Sequence, residues 1–188
     1  MDYFTADLHL AHSKLAGERG FDTVAAHDAA VMAPLYRLDA DADVLWVLGD
    51  VCSGGVASMK TALEQLARLR VPMHLVTGNH DPVHPMYRGA QRHFTDYAAV
   101  FASVQQHART KIGGEAVVLS HFPYAGTPDR FARTQFDQYQ LPDLGMWLIH
   151  GHTHADQRRS GTRSVCVSLE AWELRPVSAD ELAQEMQS

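Results

Sequence analysis

The sequence is short of the features that mark several classes of protein. It has only two cysteines among 188 residues, Cys52 and Cys166, so a disulfide scaffold is excluded and two free thiols are expected. It has no signal-peptide pattern and no apolar run of membrane length, so we predict a cytoplasmic protein with no membrane partner. It also lacks internal repeats, low-complexity segments and linkers. Residues 1–188 are therefore predicted to form a single domain.

Positive charge is also scarce. The chain has 16 Lys and Arg against 22 Asp and Glu, a formal net charge of −6. A protein that binds a duplex normally carries a basic face or arm. Extended nucleic-acid binding is therefore disfavoured, whereas a nucleotide in a local pocket is compatible with this charge. No pattern indicates an oligomeric state.

Histidine, in contrast, is abundant, with 12 residues spread along the chain. Neutral imidazole is the commonest metal ligand in proteins. The segment from His150 to His154 holds three histidines and follows an apolar run at 146–149 that is typical of a buried strand. Side chains at i and i+2 of an extended chain share a face, so we expect His152 and His154 to point at one centre. Gly151 would allow a sharp turn there.

Four other predicted strands end in the same way, in side chains that can bind a metal. These strands are predicted at residues 3–6, 43–48, 72–76 and 115–120, the last as the second strand of a hairpin. The residues that follow them are Asp7 and His9, Asp50, Asn79 and His80, and His121. Open α/β sheets place their ligands at the carboxyl ends of the strands. We therefore expect these side chains to meet at one edge.

The remaining elements are predicted from local patterns. Helices are expected at 22–38, capped by Asp22 and carrying an exposed His27, and at 57–69. Closing strands are expected at 163–168 and 171–177, before a tail helix that starts with a capping box at Ser178. Residues 122–144 form the longest stretch without a core pattern, and such a loop is usually functional.

The predicted ligand set indicates a dinuclear centre. It mixes carboxylate, amide and imidazole groups, which suit Mn²⁺, Fe or Zn²⁺. Seven ligands are too many for one tetrahedral ion and about right for two ions that share a carboxylate. Two ions roughly 3.5–4 Å apart can hold a hydroxide and clamp a phosphate. We expect two divalent ions, Mn²⁺ first, with Fe, Zn²⁺ or Ni²⁺ as alternatives. His80 and Asp81 are adjacent and can form an acid–base pair.

The order of these motifs resembles the calcineurin-like metallophosphoesterase superfamily. The blocks Asp-x-His, Gly-Asp, Gly-Asn-His-Asp, His and Gly-His-x-His occur in that order between residues 5 and 154. Residues 5–12 and 175–182 are similar to a small bacterial and phage branch of it. The resemblance implies an α/β fold of two packed mixed β-sheets flanked by helices, with a dinuclear metal site at the C-terminal ends of the strands.

The resemblance also implies a role for each matched residue. Asp7, His9 and His154 would hold one metal, Asn79, His121 and His152 the other, and Asp50 would bridge both. His80 would contact the substrate phosphate and assist the leaving group. Asp81 would orient His80. The implied reaction is hydrolysis of a phosphodiester by a metal-bridging hydroxide.

The sequence also suggests a class of substrate and the residues that would contact it. A small phosphorylated or nucleotide substrate is expected, with His12, Arg19, Tyr124, Arg130 and Arg133 as candidate contacts. The alternatives are a phosphomonoesterase, including a protein phosphatase, and a catalytically inactive metal-bound scaffold. A protein phosphatase is disfavoured because the chain is short. A scaffold is disfavoured because every ligand position and His80 are intact.

Overall fold

The structure is a computed structural model that describes residues 1–52, 55–128 and 135–188. Two of the candidate substrate contacts, Arg130 and Arg133, lie outside the described residues. Among the described residues, no helix has the length and apolar character needed to cross a membrane.

The first sheet has five strands in the order β10-β1-β2-β3-β4. Its strands are β1 (Asp2–Thr5), β2 (Val44–Val47), β3 (Met73–Val76), β4 (Ser103–Gln105) and β10 (Val177–Ser178). Strands β1 to β4 are parallel, and β10 pairs with β1 in the antiparallel sense. The parallel strands β1, β2 and β3 therefore all end at the same edge.

The second sheet has the order β5-β6-β7-β9-β8. Its strands are β5 (His107–Ile112), β6 (Glu115–Ser120), β7 (Trp147–His150), β8 (Arg159–Gly161) and β9 (Ser164–Cys166). The three central strands run parallel, whereas β5 and β8 are antiparallel edges. The expected hairpin turns at Gly113 and Gly114 and joins β5 to β6.

Two apolar clusters hold these layers together. One lies between the sheets and includes Phe4 and Val76 from the first, with Leu119 and Ile149 from the second. The other lies on the outer face of the first sheet, where helices cover it. The described helices are α1 (Ser13–Glu18), α2 (Val24–Leu35), α3 (Val56–Leu66), α4 (Phe94–Ala98) and α5 (Ala179–Gln187). Of these, α5 packs through Leu182 on the cluster between the sheets. The predicted fold of two packed mixed sheets flanked by helices is confirmed.

Helix α2 differs from its prediction at two residues. Its N-cap is Thr23, whose hydroxyl accepts a hydrogen bond from the Ala26 amide at 3.1 Å, and not Asp22. His27 is completely buried. Its ring lies between the Asp28 carboxylate, 2.9 Å from Nδ1, and Arg19 Nη1, 3.0 Å from Nε2. The prediction of an exposed histidine was wrong because sequence periodicity does not reveal these polar partners.

The C-terminal region contains less strand than expected. Residues Leu169–Trp172 form a 3₁₀ helix, and Glu173 and Leu174 have left-handed backbones, with φ of 55° and 59°. Only Val177–Ser178 pairs with β1. The apolar residues of this segment are buried as a strand would bury them, and this explains the wrong prediction for 171–177. The capping box of Ser178 and Glu181 at the start of α5 is confirmed.

Candidate metal centre

The predicted ligands converge where the parallel strands of both sheets end. Asp7, His9 and Asp50 follow β1 and β2, and Asn79 follows β3. His121 follows β6, and His152 and His154 follow β7. Most of these side chains are buried, with exposed fractions of 0% for Asp7 and His121 and 1% for Asp50. Two carboxylates buried this deeply are costly without a balancing positive charge, so this edge suits a cation.

Asp7, His9 and His154 form a first ligand group. One ligand atom from each lies within 4.8 Å of the others. The two imidazole Nε2 atoms are 3.2 Å apart, and His154 Nε2 is 3.6 Å from Asp7 Oδ1. Two nitrogens bound to one ion at roughly 2.1 Å would be separated by about this distance. Asp7 Oδ1 is buried without a hydrogen-bond partner, so the group fits a metal ion.

Asn79, His121 and His152 form a second ligand group. Asn79 Oδ1 lies 3.0 Å from His121 Nε2 and 2.8 Å from His152 Nδ1. The three atoms thus surround one small space, lined by an amide oxygen and two ring nitrogens. This donor set also fits a divalent ion.

Asp50 lies between the two groups. Its Oδ2 is 3.6 Å from His9 Nε2 and 3.5 Å from His121 Nε2, one imidazole from each group. Its other oxygen accepts a hydrogen bond of 2.7 Å from the His80 amide. Burial raises the pKa of this carboxyl, and the nearby Asp7 carboxylate adds to the rise. A cation on either side would favour the ionised form.

The backbone at these positions is not extended. Five ligand residues have left-handed φ values: 60° at Asp7, 46° at His9, 56° at Asp50, 70° at His152 and 49° at His154. Left-handed residues other than glycine are uncommon and cluster at functional sites. The expectation that His152 and His154 share a face of a strand was therefore wrong. His154 belongs to the first ligand group and His152 to the second, because the chain turns at each of them.

Gly78 and Gly151 are needed because neighbouring atoms lie where a Cβ would be, and not because their φ angles are unusual. A Cβ on Gly151 would lie 2.5 Å from the Ala6 Cβ and 2.7 Å from Asp7 Oδ2. A Cβ on Gly78 would lie 2.2 Å from Asp50 Oδ1. Both glycines therefore let a neighbouring chain segment pack directly against a carboxylate ligand. Gly151 was expected to serve a sharp turn, but its role is this lack of a side chain.

Hydrogen bonds at Nδ1 orient three of the histidines. His9 Nδ1 is 3.1 Å from the Cys52 carbonyl oxygen, and His121 Nδ1 is 2.8 Å from the Leu48 carbonyl oxygen. His154 Nδ1 is 2.8 Å from Glu170 Oε1. Each bond places the proton on Nδ1 and leaves Nε2 as a free electron-pair donor toward the centre.

Glu170 is a site residue that sequence analysis missed. Its Oε1 also accepts hydrogen bonds from Arg19 Nε at 3.0 Å and Arg19 Nη2 at 2.9 Å. Burial alone would raise the pKa of Glu170, but His154 and Arg19 outweigh it and lower that pKa to about 2. Burial likewise lowers the pKa of His154, yet Asp7 and Glu170 raise it above its ordinary value. A single acidic residue after a strand gave no signal of these partners.

Arg19 is therefore placed differently from the prediction. It was expected to contact substrate, but its side chain is only 5% exposed. Besides Glu170, it donates to the carbonyl oxygens of Asp7 at 2.7 Å and Leu8 at 3.2 Å. These contacts hold Arg19 against residues of the first ligand group, which favours a positioning role over contact with substrate.

Asp81 also has a different role from the predicted one. Its carboxylate accepts hydrogen bonds from the backbone amides of Asp50 and Gly78 through Oδ2, at 2.9 Å and 2.8 Å, and from Val51 through Oδ1 at 3.0 Å. Burial raises the pKa of this carboxyl. Asp81 thus ties the loop after β2 to the loop after β3. The His80 ring is not among its hydrogen-bond partners in the described part of the chain.

A cleft of about 510 Å³ opens onto both ligand groups. His80 lies on its wall, with its ring centroid 5.1 Å from that of His9 and 6.4 Å from that of His12. His12 also lines the cleft, and its contact with substrate stays a prediction. Tyr124 does not line the cleft: it is 7% exposed, and its hydroxyl donates to the Met146 carbonyl at 2.8 Å. Lys14, Tyr87 and Phe136 line the cleft without having been predicted.

Comparison with known proteins finds a family model and relatives that cover most of the chain. The family model described as the calcineurin-like phosphoesterase superfamily domain matches residues 4–169. The chain is 39% identical over 178 residues to the Gene 66 protein of Mycobacterium phage D29, which covers 90% of this chain and 88% of that protein. It is 37% identical over 191 residues to the Gene 66 protein of Mycobacterium phage L5, covering 96% and 91%.

A solved structure has the same fold. The crystal structure of a protein of unknown function from Aquifex aeolicus superimposes with a TM-score of 0.70 and 22% sequence identity, and 98% of each chain is covered.

Proposed function

The chain belongs to the calcineurin-like phosphoesterase superfamily, and on that premise we propose that it hydrolyses a small phosphodiester at a centre of two divalent ions. The observation that carries this proposal is Asp50 Oδ2, which lies 3.6 Å from an imidazole of the first ligand group and 3.5 Å from one of the second. A carboxylate in that position can serve two ions at once. Mn²⁺ is the ion we expect first, given the mixed oxygen and nitrogen donors.

Each residue has a defined task in this proposal. Asp7, His9 and His154 would hold one ion, and Asn79, His121 and His152 the other, with Asp50 shared. When bound, two such ions supply Lewis-acid activation of water and neutralise charge on a phosphate. His80 is outside both groups, and its amide is anchored on Asp50 at 2.7 Å. Its imidazole faces the cleft, where it can donate a proton to the leaving alkoxide.

The charge at the mouth of the cleft favours a diester. Lys14 and Glu18 both line it and form an ion pair of 3.7 Å, so together they add no net charge. A diester carries one negative charge at neutral pH, whereas a monoester carries nearly two. Five of the fourteen described residues that line the cleft are histidines, and Lys14, the one lysine or arginine among them, is balanced by Glu18. Beyond the two ions, this wall therefore offers little positive charge for the second charge of a monoester, and it suits the diester better. His12 lines the same cleft, with its ring centroid 6.4 Å from that of His80, and we expect it to contact the substrate.

Two chromogenic esters test this proposal. The metal-stripped chain is reconstituted with Mn²⁺ and assayed with bis-p-nitrophenyl phosphate and p-nitrophenyl phosphate. We expect Mn²⁺-dependent hydrolysis with a higher kcat/KM for the diester. A higher value for the monoester would move the assignment to a phosphomonoesterase. Failure to hydrolyse either ester, with two ions bound, would contradict the proposed reaction and favour the scaffold alternative.

A further inference from the structure

A second cavity lies beside the metal-facing cleft. It has a volume of about 320 Å³ and is lined by Val56, Pro82 and Tyr87, together with Gly55, Gly89 and the histidines His80 and His93. We call this cavity the side groove. Its wall is mostly apolar, in contrast to the imidazoles that line the main cleft.

The side groove and the main cleft share two residues, His80 and Tyr87. The Tyr87 hydroxyl donates a hydrogen bond to the backbone carbonyl of Asn79. This bond fixes the tyrosine ring next to the second ligand group. Because His80 belongs to both walls, a group in the side groove would lie next to the residue that the proposed function assigns to the leaving alkoxide.

The apolar side chains of the side groove are exposed. Val56 is 48% exposed and Tyr87 is 44% exposed. They are two of the six large hydrophobic residues that are exposed in the described part of the chain. Exposed apolar residues that gather at one concave place mark a binding site more often than scattered ones do. Their position next to His80 indicates which part of a substrate they would contact.

We infer that the side groove is the leaving-group subsite, and that it takes an apolar, ring-containing alcohol portion of a phosphodiester. This inference rests on the proposed function. The phosphate would lie over the two ligand groups. Hydroxide derived from water would form the new P–O bond, and the P–O bond to the alcohol, which would point toward His80, would break. The alcohol oxygen would take its proton from the imidazole, and the apolar ring would pack on Val56, Pro82 and Tyr87. Hydrophobic burial there would favour substrates with larger apolar leaving groups.

Two diesters with leaving groups of different size test the inference. Methyl phenyl phosphate and methyl 4-tert-butylphenyl phosphate release phenols of nearly equal acidity, so their chemical reactivity is similar. The second has four more carbon atoms to place in the side groove. We expect the Mn²⁺-loaded chain to show a kcat/KM about tenfold higher for the larger ester. Equal values for the two esters would overturn the inference while leaving the proposed function intact.

The uncharged substitution Val56→Ser tests whether the side groove causes the preference for the larger ester. In Val56→Ser the preference for the larger ester should fall from about tenfold to about threefold, because part of the apolar wall is lost. Serine is tolerated at the start of α3, which reduces the risk of misfolding. The matched control is Leu144→Ser, a change at a residue that is 84% exposed and lines neither cavity. It should leave the tenfold preference unchanged. A preference that survives Val56→Ser would place the subsite elsewhere.

Binding measurements distinguish a failure of the proposed function from a failure of the side-groove inference. If neither ester is hydrolysed, the proposed function fails, and calorimetry of the same two esters with the Mn²⁺-loaded chain decides the side groove separately. Tighter binding of the larger ester that is weakened by Val56→Ser would support an apolar subsite. Equal affinities would contradict it.

Discussion

The two ligand groups of the centre are supported in different ways. Behind the first group lies a charged network in which Arg19 and Glu170 meet at 2.9 Å and Glu170 meets His154 at 2.8 Å. Beside the second group lie aromatic rings: Phe122 is 4.9 Å from the His121 ring and 5.0 Å from the His152 ring between centroids. Each group has a histidine held by a backbone carbonyl. The difference is that the first group is also supported by this ion-pair network, and the second by aromatic packing.

This difference predicts how each half responds to change. Removing the charge of Glu170 should weaken the first group selectively, because Glu170 orients the ligand His154 in a buried site. Changes that affect the aromatic packing should alter stability near the second group more than the affinity for an ion. Asp50 belongs to both halves, so a change there should remove the distinction.

The largest effect is expected for Asp50→Ala. The substitution removes the carboxylate that lies between His9 and His121, so paired ion binding should be lost. Mn²⁺ content should fall from two ions per chain to one or fewer, and diester hydrolysis should fall by about a thousandfold or more. Metal analysis and steady-state kinetics measure both quantities. Asp41→Ala, at an exposed position, is the matched control. Two tightly bound ions in Asp50→Ala would contradict the shared-carboxylate arrangement.

His80→Ala tests a residue that belongs to neither group. Both ions should remain, because its side chain is outside both groups and only its amide contacts Asp50. Turnover should fall by roughly 10²–10⁴-fold, the usual contribution of a general acid. The loss should be smallest for esters with acidic leaving groups, which need little protonation. A variant that lost its metal would show that His80 is a ligand.

Glu170→Gln separates the two halves most clearly. The amide keeps the size of the side chain but loses the negative charge that faces Arg19 and His154. Affinity for one ion should fall by roughly 10–100-fold, as for other residues that orient a ligand, while affinity for the other ion changes little. Sequential Mn²⁺ titration by calorimetry measures the two affinities.

The control for Glu170→Gln is Glu185→Gln, since Glu185 also pairs with an arginine, Arg158, at 3.7 Å. Equal weakening of both ions by Glu170→Gln would show that the network supports the whole centre and not one half.

Much of this arrangement was predictable from the sequence, because local patterns determine it. Apolar runs followed by glycine and polar residues located Asp50 and Asn79 at the ends of parallel strands, and periodicity located α2 and α3. Two strand-end motifs also located Asp7 and His121. These features depend on residues that are close in the chain.

Features that depend on distant residues were not predictable. Glu170 is 16 residues from His154 and 151 residues from Arg19, and no local pattern joins them. The left-handed backbone at His152 likewise accompanies a contact with a distant residue, since its amide donates to Asp7 Oδ2 at 3.0 Å. The hydrogen bonds of Asp81 likewise join the loops after β2 and β3, and no local pattern places these two loops side by side.

The smallest effect is expected from His84, which lies among the rings near the second group. It is fully buried, with centroid distances of 5.9 Å to Phe122 and 5.1 Å to Tyr139. Its Nδ1 accepts a hydrogen bond from the Met86 amide at 3.1 Å, so the neutral ring is favoured. Burial, together with the nearby His121 and His107, lowers the pKa of His84 from 6.5 to about 4.

This shift predicts a pH dependence of stability. Above pH 6.5 the ring is neutral in the folded and unfolded chains, so it adds no slope. Between about pH 6.5 and 4 the unfolded chain binds the proton and the folded chain does not, so the free energy of unfolding falls as the pH falls. We expect His84 to contribute roughly 1–3 kcal/mol to that decrease. Urea unfolding of the metal-free chain across this range, compared with His84→Asn, measures it. Parallel pH profiles would contradict the assignment.

The central claim is that two ions share Asp50. The most direct test is electron paramagnetic resonance of the metal-stripped chain titrated with Mn²⁺. We predict that two equivalents bind and give the spectrum of an exchange-coupled pair, since ions bridged by one carboxylate lie roughly 3.5–4 Å apart. Asp50→Ala should abolish the coupling. Binding of a single equivalent, or of two ions with independent spectra, would contradict the account.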